Sequence, residues 1–209
     1  MVDVFESEES AAEAVDAAER ALADGRCVVF PTDTVYGLGA RPDIPGATEA
    51  VFEIKRRPRD LTVPVLVGGT ADAEAVATLD ERAVLLARRF WPGGLTLVLP
   101  RTRASAAWNL GAESATVGVR VPAEGIAVAL LSRTGPLAVT SANISGQPTP
   151  STCEEVRAVL GERVEVYICG GPSNHAVPST VVDLTAEEAR ILRAGAIPPG
   201  EVFLALSGS

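Results

Sequence analysis

Aromatic residues are scarce, at 4% of the 209 residues, so valine, alanine and leucine must fill any core. Histidine occurs once, as His175, which excludes a histidine-rich metal centre. Nothing near it in sequence would orient it as a base. Cysteine occurs three times, as Cys27, Cys153 and Cys169, with no C-x-x-C pair. The odd number and wide spacing predict reduced thiols in a cytoplasmic protein. Positive charge is also short: 18 Lys and Arg against 27 Asp and Glu leave a net charge of −9. A general nucleic-acid binder is usually basic, so any anion site here must be local. No apolar run approaches the roughly 20 residues that span a bilayer. The stretch Val2 to Glu9 is acidic where a signal peptide is basic. A Walker loop, a G-x-G-x-x-G, an internal repeat and a low-complexity tract are all absent from the sequence.

What is present is 47% apolar residues, enough for a globular chain with a real core. The length suits one domain over residues 1–209. Ser10 and Glu13 form a capping box before an alanine-rich helix that Gly25 stops. Cys27 to Phe30 is a fully apolar strand, and Pro31-Thr32-Asp33-Thr34-Val35-Tyr36-Gly37-Leu38-Gly39 follows it as a polar strand end. Ala47 to Arg56, Asp80 to Phe90, Gly125 to Ser132 and Thr152 to Leu160 carry helical spacing. Strands are expected at Val63–Val67, Leu95–Leu99, Thr116–Pro122, Leu137–Thr140, Val164–Ile168 and Thr180–Leu184. Pro64 predicts that the strand holding it is an edge or a bulge. The fold class is therefore α/β, a mixed sheet with flanking helices.

Chemistry concentrates at strand ends. Lys55-Arg56-Arg57-Pro58-Arg59 puts four cations in five residues. The helix dipole accounts for Lys55 and Arg56 but not for Arg57 and Arg59 beyond the helix. Arg120 shares a strand face with Thr116 and Gly118, opposite the valines. Thr140-Ser141-Ala142-Asn143-Ile144-Ser145-Gly146 is a turn of hydroxyls and amides. If these converge with Thr32, Thr34, Ser179, Thr180 and Arg193, the site has many donors and almost no base. It can hold anions and neutralise developing charge, which is what nucleotidyl transfer needs.

The motifs Pro31 to Leu38, Lys55-x-Arg57-Pro58, Ser141-x-Asn143, Pro178-Ser179-Thr180-Val181-Val182-Asp183 and Leu192-Arg193-x-Gly195 resemble, in order, those of the YrdC/Sua5 family. The resemblance covers about residues 10–200 and matches the short, single-domain form. It implies a twisted α/β sheet with a large concave basic cavity. It also implies synthesis of L-threonylcarbamoyladenylate from L-threonine, bicarbonate and ATP, with release of pyrophosphate. A tRNA threonylcarbamoyl transferase complex would take the product. By the family pattern Thr32, Arg120, Ser141 and Ser179 hold threonine. Lys55, Arg59, Thr116, Asn143, Ser151 and Arg193 hold the nucleotide. Lys55, Arg57, Ser141 and Asn143 form the catalytic set, and Mg²⁺ arrives with ATP. Thr34 in place of Thr32, and Thr140 in place of Ser141, stay open. Residues 170–178 are the candidate lid. The alternative is a double-stranded RNA or ribosome-binding module that uses the same basic face for a weak RNA contact.

Overall fold

A computed structural model describes residues 2–5, 11–112, 115–171 and 177–208. The helices are α1 (Ala11–Ala23), α2 (Ala47–Lys55), α3 (Thr70–Val76), α4 (Glu81–Phe90), α5 (Gly125–Thr134), α6 (Cys153–Leu160) and α7 (Pro199–Ser207). The strands are β1 (Asp3–Phe5), β2 (Val28–Phe30), β3 (Gly37–Ala40), β4 (Val65–Leu66) and β5 (Leu95–Pro100). They continue as β6 (Thr116–Arg120), β7 (Leu137–Ser141), β8 (Val166–Ile168), β9 (Thr180–Asp183) and β10 (Arg190–Arg193). The ten strands among the described residues join one mixed sheet in the order β1-β8-β2-β3-β7-β4-β6-β5-β9-β10.

Local chemistry explains most boundaries. Gly25, at φ 71°, ends α1, with its N–H on Leu22 O and the next N–H on Ala21 O. The proposed Ser10 cap lies outside the described residues. Asp80 caps α4 by accepting from the Ala83 N–H at 2.8 Å. Thr152 and Glu155 close a reciprocal capping box on α6. The apolar faces pack into three buried clusters. One joins α1 and α5 over β2 and β8, through Ala14, Leu22, Leu130 and Phe30. A second lies among α2, α6 and β3, and a third among α3, α4 and β4–β6.

Four expectations need correction. The strand with Pro64 is neither an edge nor a bulge: β4 pairs with β7 on one side and β6 on the other. The ladder is only two residues long, so the N–H that Pro64 lacks falls outside it, and the Pro64 carbonyl accepts from Val139 N at 2.9 Å. Gly37 to Ala40, read as a strand end, is itself a strand between β2 and β7. Gly37 and Gly39 are the reason it fits: a Cβ on Gly37 would stand 2.8 Å from Val139 Cγ1. After Gly68-Gly69 the chain forms α3, in a stretch to which the sequence analysis assigned no helix or strand. Cys153 and Cys169 are disulfide-bonded across a separation of 16, so only Cys27 is free. The thiol reading failed because sequence spacing says nothing about the α6–β8 contact that brings them together.

Candidate active site

The polar end of β2 is shaped by its own side chains. Thr32 Oγ1 donates to Val35 O at 2.6 Å, which fixes the turn. The turn presents Asp33 and Thr34 to Arg120 at the end of β6. Arg120 Nη2 donates to Asp33 Oδ1 at 2.7 Å and Nη1 to Thr34 Oγ1 at 2.8 Å. Its Nε donates to the Gly93 carbonyl at 2.9 Å. Three of the five N–H groups of this guanidinium are engaged, which leaves two for a ligand. Arg120 is only 6% exposed, and burial pulls its pKa down while Asp33 pushes it back up.

Lys55, the last residue of α2, is the only lysine in the chain. It is 1% exposed. Its Nζ donates to Ser141 O, to Asn143 O at 2.7 Å and to Asn143 Oδ1 at 2.8 Å. Ser141 Oγ donates to the same Asn143 Oδ1 at 2.7 Å, and Asn143 Nδ2 donates to Gln147 O at 2.7 Å. Lys55 therefore clasps the turn after β7 from behind. Burial, with a contribution from Arg57, brings its pKa down to about 7.

Arg56 adopts a left-handed conformation, φ 51°, rare for a residue other than glycine. That cap ends α2 and reverses the chain, so Arg57 reaches the cavity while Arg56 stays exposed. Arg57 Nη2 donates to Thr62 O at 2.8 Å, but its buried Nε has no partner. On the far side Arg193 of β10 donates to Ser179 O at 3.0 Å and Ser179 Oγ at 3.1 Å. Ser179 Oγ also lies 2.8 Å from Thr96 Oγ1. Gly195 permits this closure, because a side chain there would collide with the backbone of Pro178 and Ser179.

These groups enclose a cavity of about 230 Å³. Thr32, Arg57, Arg120, Ser141, Ser179 and Arg193, six of the residues singled out in the sequence, line it. So do Thr34 and Thr140, the two alternatives. Lys55 and Asn143 stand buried behind the wall. Four more anticipated residues are also outside the lining. Arg59 is exposed, 5.4 Å above the Phe52 ring centroid. The Thr116 carbonyl accepts from Arg101 Nε at 3.0 Å. Ser151 Oγ bonds Glu155 at 3.1 Å, at the start of α6. Thr180 turns away and donates to Ile197 O at 2.6 Å. His175 and the middle of the 170–178 segment lie outside the described residues.

Sequence reasoning missed Thr96 and Asp33. Asp33 stood in the same Pro-Thr-Asp-Thr run that drew attention to its neighbours, but its partner is 87 positions away. Electrostatically the cavity is lopsided. Among the described residues neither Arg57 nor Arg193 has a carboxylate at ion-pair distance. After burial, the largest influence lowering the Arg57 pKa is the charge of Arg193, which also lowers that of Arg120. Three guanidiniums held together against their own repulsion form a site that an anion would stabilise. Among the described residues no cluster of three His, Cys, Asp or Glu side chains could hold a metal.

A mixed α/β sheet that gathers hydroxyls and guanidiniums around one small cavity defines an anion-handling class of site. The chain belongs to the Sua5/YciO/YrdC family: the model for that family, described as telomere recombination, matches residues 20–195. A Mycobacterium leprae protein provisionally named as a threonylcarbamoyl-AMP synthase is 46% identical over 187 residues, 89% of this chain and 84% of that one. The threonylcarbamoyl-AMP synthase of Vibrio vulnificus is 35% identical over 180 residues, 84% of this chain and 95% of that one. The crystal structure of Pyrococcus abyssi Sua5 complexed with L-threonine superposes with a TM-score of 0.91 at 35% identity. That match covers 99% of this chain but only 61% of the Sua5 chain. No helix among the described residues is long and apolar enough to cross a membrane.

Proposed function

We propose that this protein is a threonylcarbamoyl-AMP synthase acting on L-threonine, bicarbonate and ATP. The observation that carries the reading is the cavity itself, lined by one arginine paired with a carboxylate and two that have none at ion-pair distance among the described residues. Threonine's amine takes up bicarbonate to give a carbamate, with loss of water. A carbamate oxygen then bonds to the α-phosphorus of ATP, and the bond from that phosphorus to the bridging oxygen breaks. Pyrophosphate leaves with the electron pair. The carbamate and ATP that meet in this step are both anionic, so the protein's main task is to suppress repulsion and hold the reactants in line.

Arg120 offers its two remaining N–H groups to the threonine carboxylate, with Thr32 or Thr34, Ser141 and Ser179 as hydroxyl partners. Arg57 and Arg193 neutralise phosphate charge and the leaving pyrophosphate. Lys55 and Asn143 fix the Ser141 turn and add positive potential behind it. The cavity, at about 230 Å³, is below the usual range for a small-molecule site of about 300–1,000 Å³. The nucleotide therefore extends out of it, where Arg59, Thr116 and Ser151 would meet it. Mg²⁺ enters as part of the MgATP substrate. The product would pass to a tRNA threonylcarbamoyl transferase complex.

The test is pyrophosphate release from MgATP, with L-threonine and bicarbonate omitted in turn. Release that needs both, and that fails in Arg57→Ala, is the expected result. Release with neither, or under no condition, overturns the reading. The RNA-binding alternative has only the cationic cavity in its favour, set against a net charge of −9.

A further inference from the structure

Of the three arginines that line the cavity only Arg120 is paired with a carboxylate among the described residues, and that carboxylate lies outside the anticipated set. Asp33 Oδ1 accepts from Arg120 Nη2 at 2.7 Å and from the Ala123 backbone N–H at 2.9 Å. The contact is a well-shielded ion pair, with side-chain exposures of 20% for Asp33 and 7% for Arg120. Ala123 lies just beyond the end of β6, so Asp33 ties the β2 turn to both the strand end and the segment after it. As a pair, Asp33 and Arg120 are neutral. Arg57 and Arg193 have no such partner among the described residues, and Arg57 keeps a buried Nε without an acceptor.

We infer that Asp33 is a positioning and charge-sorting residue, which makes the paired Arg120 fit for a zwitterionic amino acid and leaves the unpaired Arg57 and Arg193 to phosphates. The inference rests on the synthase reading above. The physical reason is simple. A bare guanidinium at Arg120 would attract pyrophosphate or a triphosphate more strongly than it attracts a zwitterion, whose ammonium it repels. Three uncompensated arginines around one small cavity would bind polyanion across both subsites and exclude threonine. Pairing Arg120 with a carboxylate removes that competition and costs no ligand contact, since two N–H groups stay uncommitted.

Asp33→Asn isolates the charge, because its amide oxygen can still accept from Arg120 and from Ala123. L-threonine and inorganic pyrophosphate are the probes, titrated by calorimetry separately and then each against the other. In the wild-type protein both should bind, and saturating pyrophosphate should leave threonine affinity within about twofold. In Asp33→Asn, pyrophosphate should bind about tenfold tighter or more, the order expected for one unscreened charge in a partly buried site. It should also become competitive with threonine, while threonine alone binds within about threefold of wild type. In turnover assays the variant should show an increased KM for threonine that grows with added pyrophosphate, at little-changed kcat. Asp33→Glu, which restores the charge, should return the wild-type pattern.

The outcomes separate the two readings. A wild-type protein that binds no threonine overturns the synthase reading and this inference with it. Threonine binding with mutual exclusion of pyrophosphate in the wild type overturns the charge sorting alone, and needs no variant. An Asp33→Asn protein that binds both probes as the wild type does also overturns it. A purely structural role for Asp33 would lower both affinities together and would not create competition.

Discussion

Lys55 should titrate near pH 7. Its ammonium sits 1% exposed with no carboxylate partner among the described residues, and the loss of hydration outweighs three hydrogen bonds to carbonyl-type oxygens. The fall from 10.5 to about 7, at about 1.4 kcal/mol per unit, corresponds to on the order of 5 kcal/mol. The three bonds offset part of the bare desolvation cost at about 1.5–3 kcal/mol each, being charge-assisted. Because the folded pKa lies below the unfolded one, the unfolded chain binds more protons between pH 7 and 10.5. Stability should therefore rise with pH across that window, and the charged lysine's cost should be fully present below about pH 7. The chain's single lysine makes the measurement direct. Protein labelled with ¹⁵N-lysine carries one side-chain ammonium signal, which should vanish or shift with a midpoint near 7. Urea denaturation from pH 7 to 9.5 should show the rising stability, and Lys55→Met should flatten that slope. MgATP should move the midpoint upward, since phosphate charge favours the ammonium. A midpoint near 10.5, or equal slopes in wild type and Lys55→Met, would refute the reasoning.

Three further outcomes follow from the geometry. The double variant Arg120→Gln/Asp33→Asn, which keeps the cavity's net charge, should cost about 1.5–3 kcal/mol in threonine binding, measured by calorimetry, while ATP affinity changes much less. Equal loss of both ligands would contradict the placement of threonine beside Arg120. Thr34→Val removes the acceptor for Arg120 Nη1 and should weaken threonine binding by about 1 kcal/mol without unfolding the chain. Cys153→Ser opens the 16-residue link to Cys169 and should lower unfolding free energy by about 3 kcal/mol on the chain-entropy account. Wild-type protein in a strong dithiol reductant should match that variant; if its melting temperature ignores the reductant, the covalent tie contributes nothing to stability.

Much of the fold was legible because its signals are local. Capping residues at Asp80 and Thr152, the glycine stop at Gly25 and the valine alternation of β6 each act within a few residues. The mixed α/β sheet follows from them. What was not legible depends on partners distant in sequence. Pro64 looked like an edge signal, yet β4 is too short for the missing N–H to matter. The Cys153–Cys169 bond depends on α6 docking beside β8. The site was legible as an inventory and not as an arrangement. Thr32, Arg57, Arg120, Ser141, Ser179 and Arg193 do line one cavity. Yet Arg59, Thr116 and Ser151 stand away from its wall, and Lys55 points into the turn behind it. A sequence records that a cation is present, not which way its side chain runs.

That distinction bears on why one lysine stands among 17 arginines, the remainder of the 18 basic residues. The Ser141–Asn143 turn offers three oxygens converging on a single point. A compact ammonium with three tetrahedral donors fits there, whereas a planar guanidinium would need room that a 1%-exposed site does not have. At the cavity wall the demand is reversed. Arg120 must hold Asp33, Thr34 and the Gly93 carbonyl while keeping donors free, which takes five N–H groups in a fixed plane. Arg193 likewise spans the carbonyl and hydroxyl of Ser179 and still faces the cavity. The two cation types are thus divided by geometry: arginines at the wall carry the donors that ligands can use, and the lysine holds the turn that presents Ser141 to them. In a chain of net charge −9, this arrangement gathers three guanidiniums around one small volume.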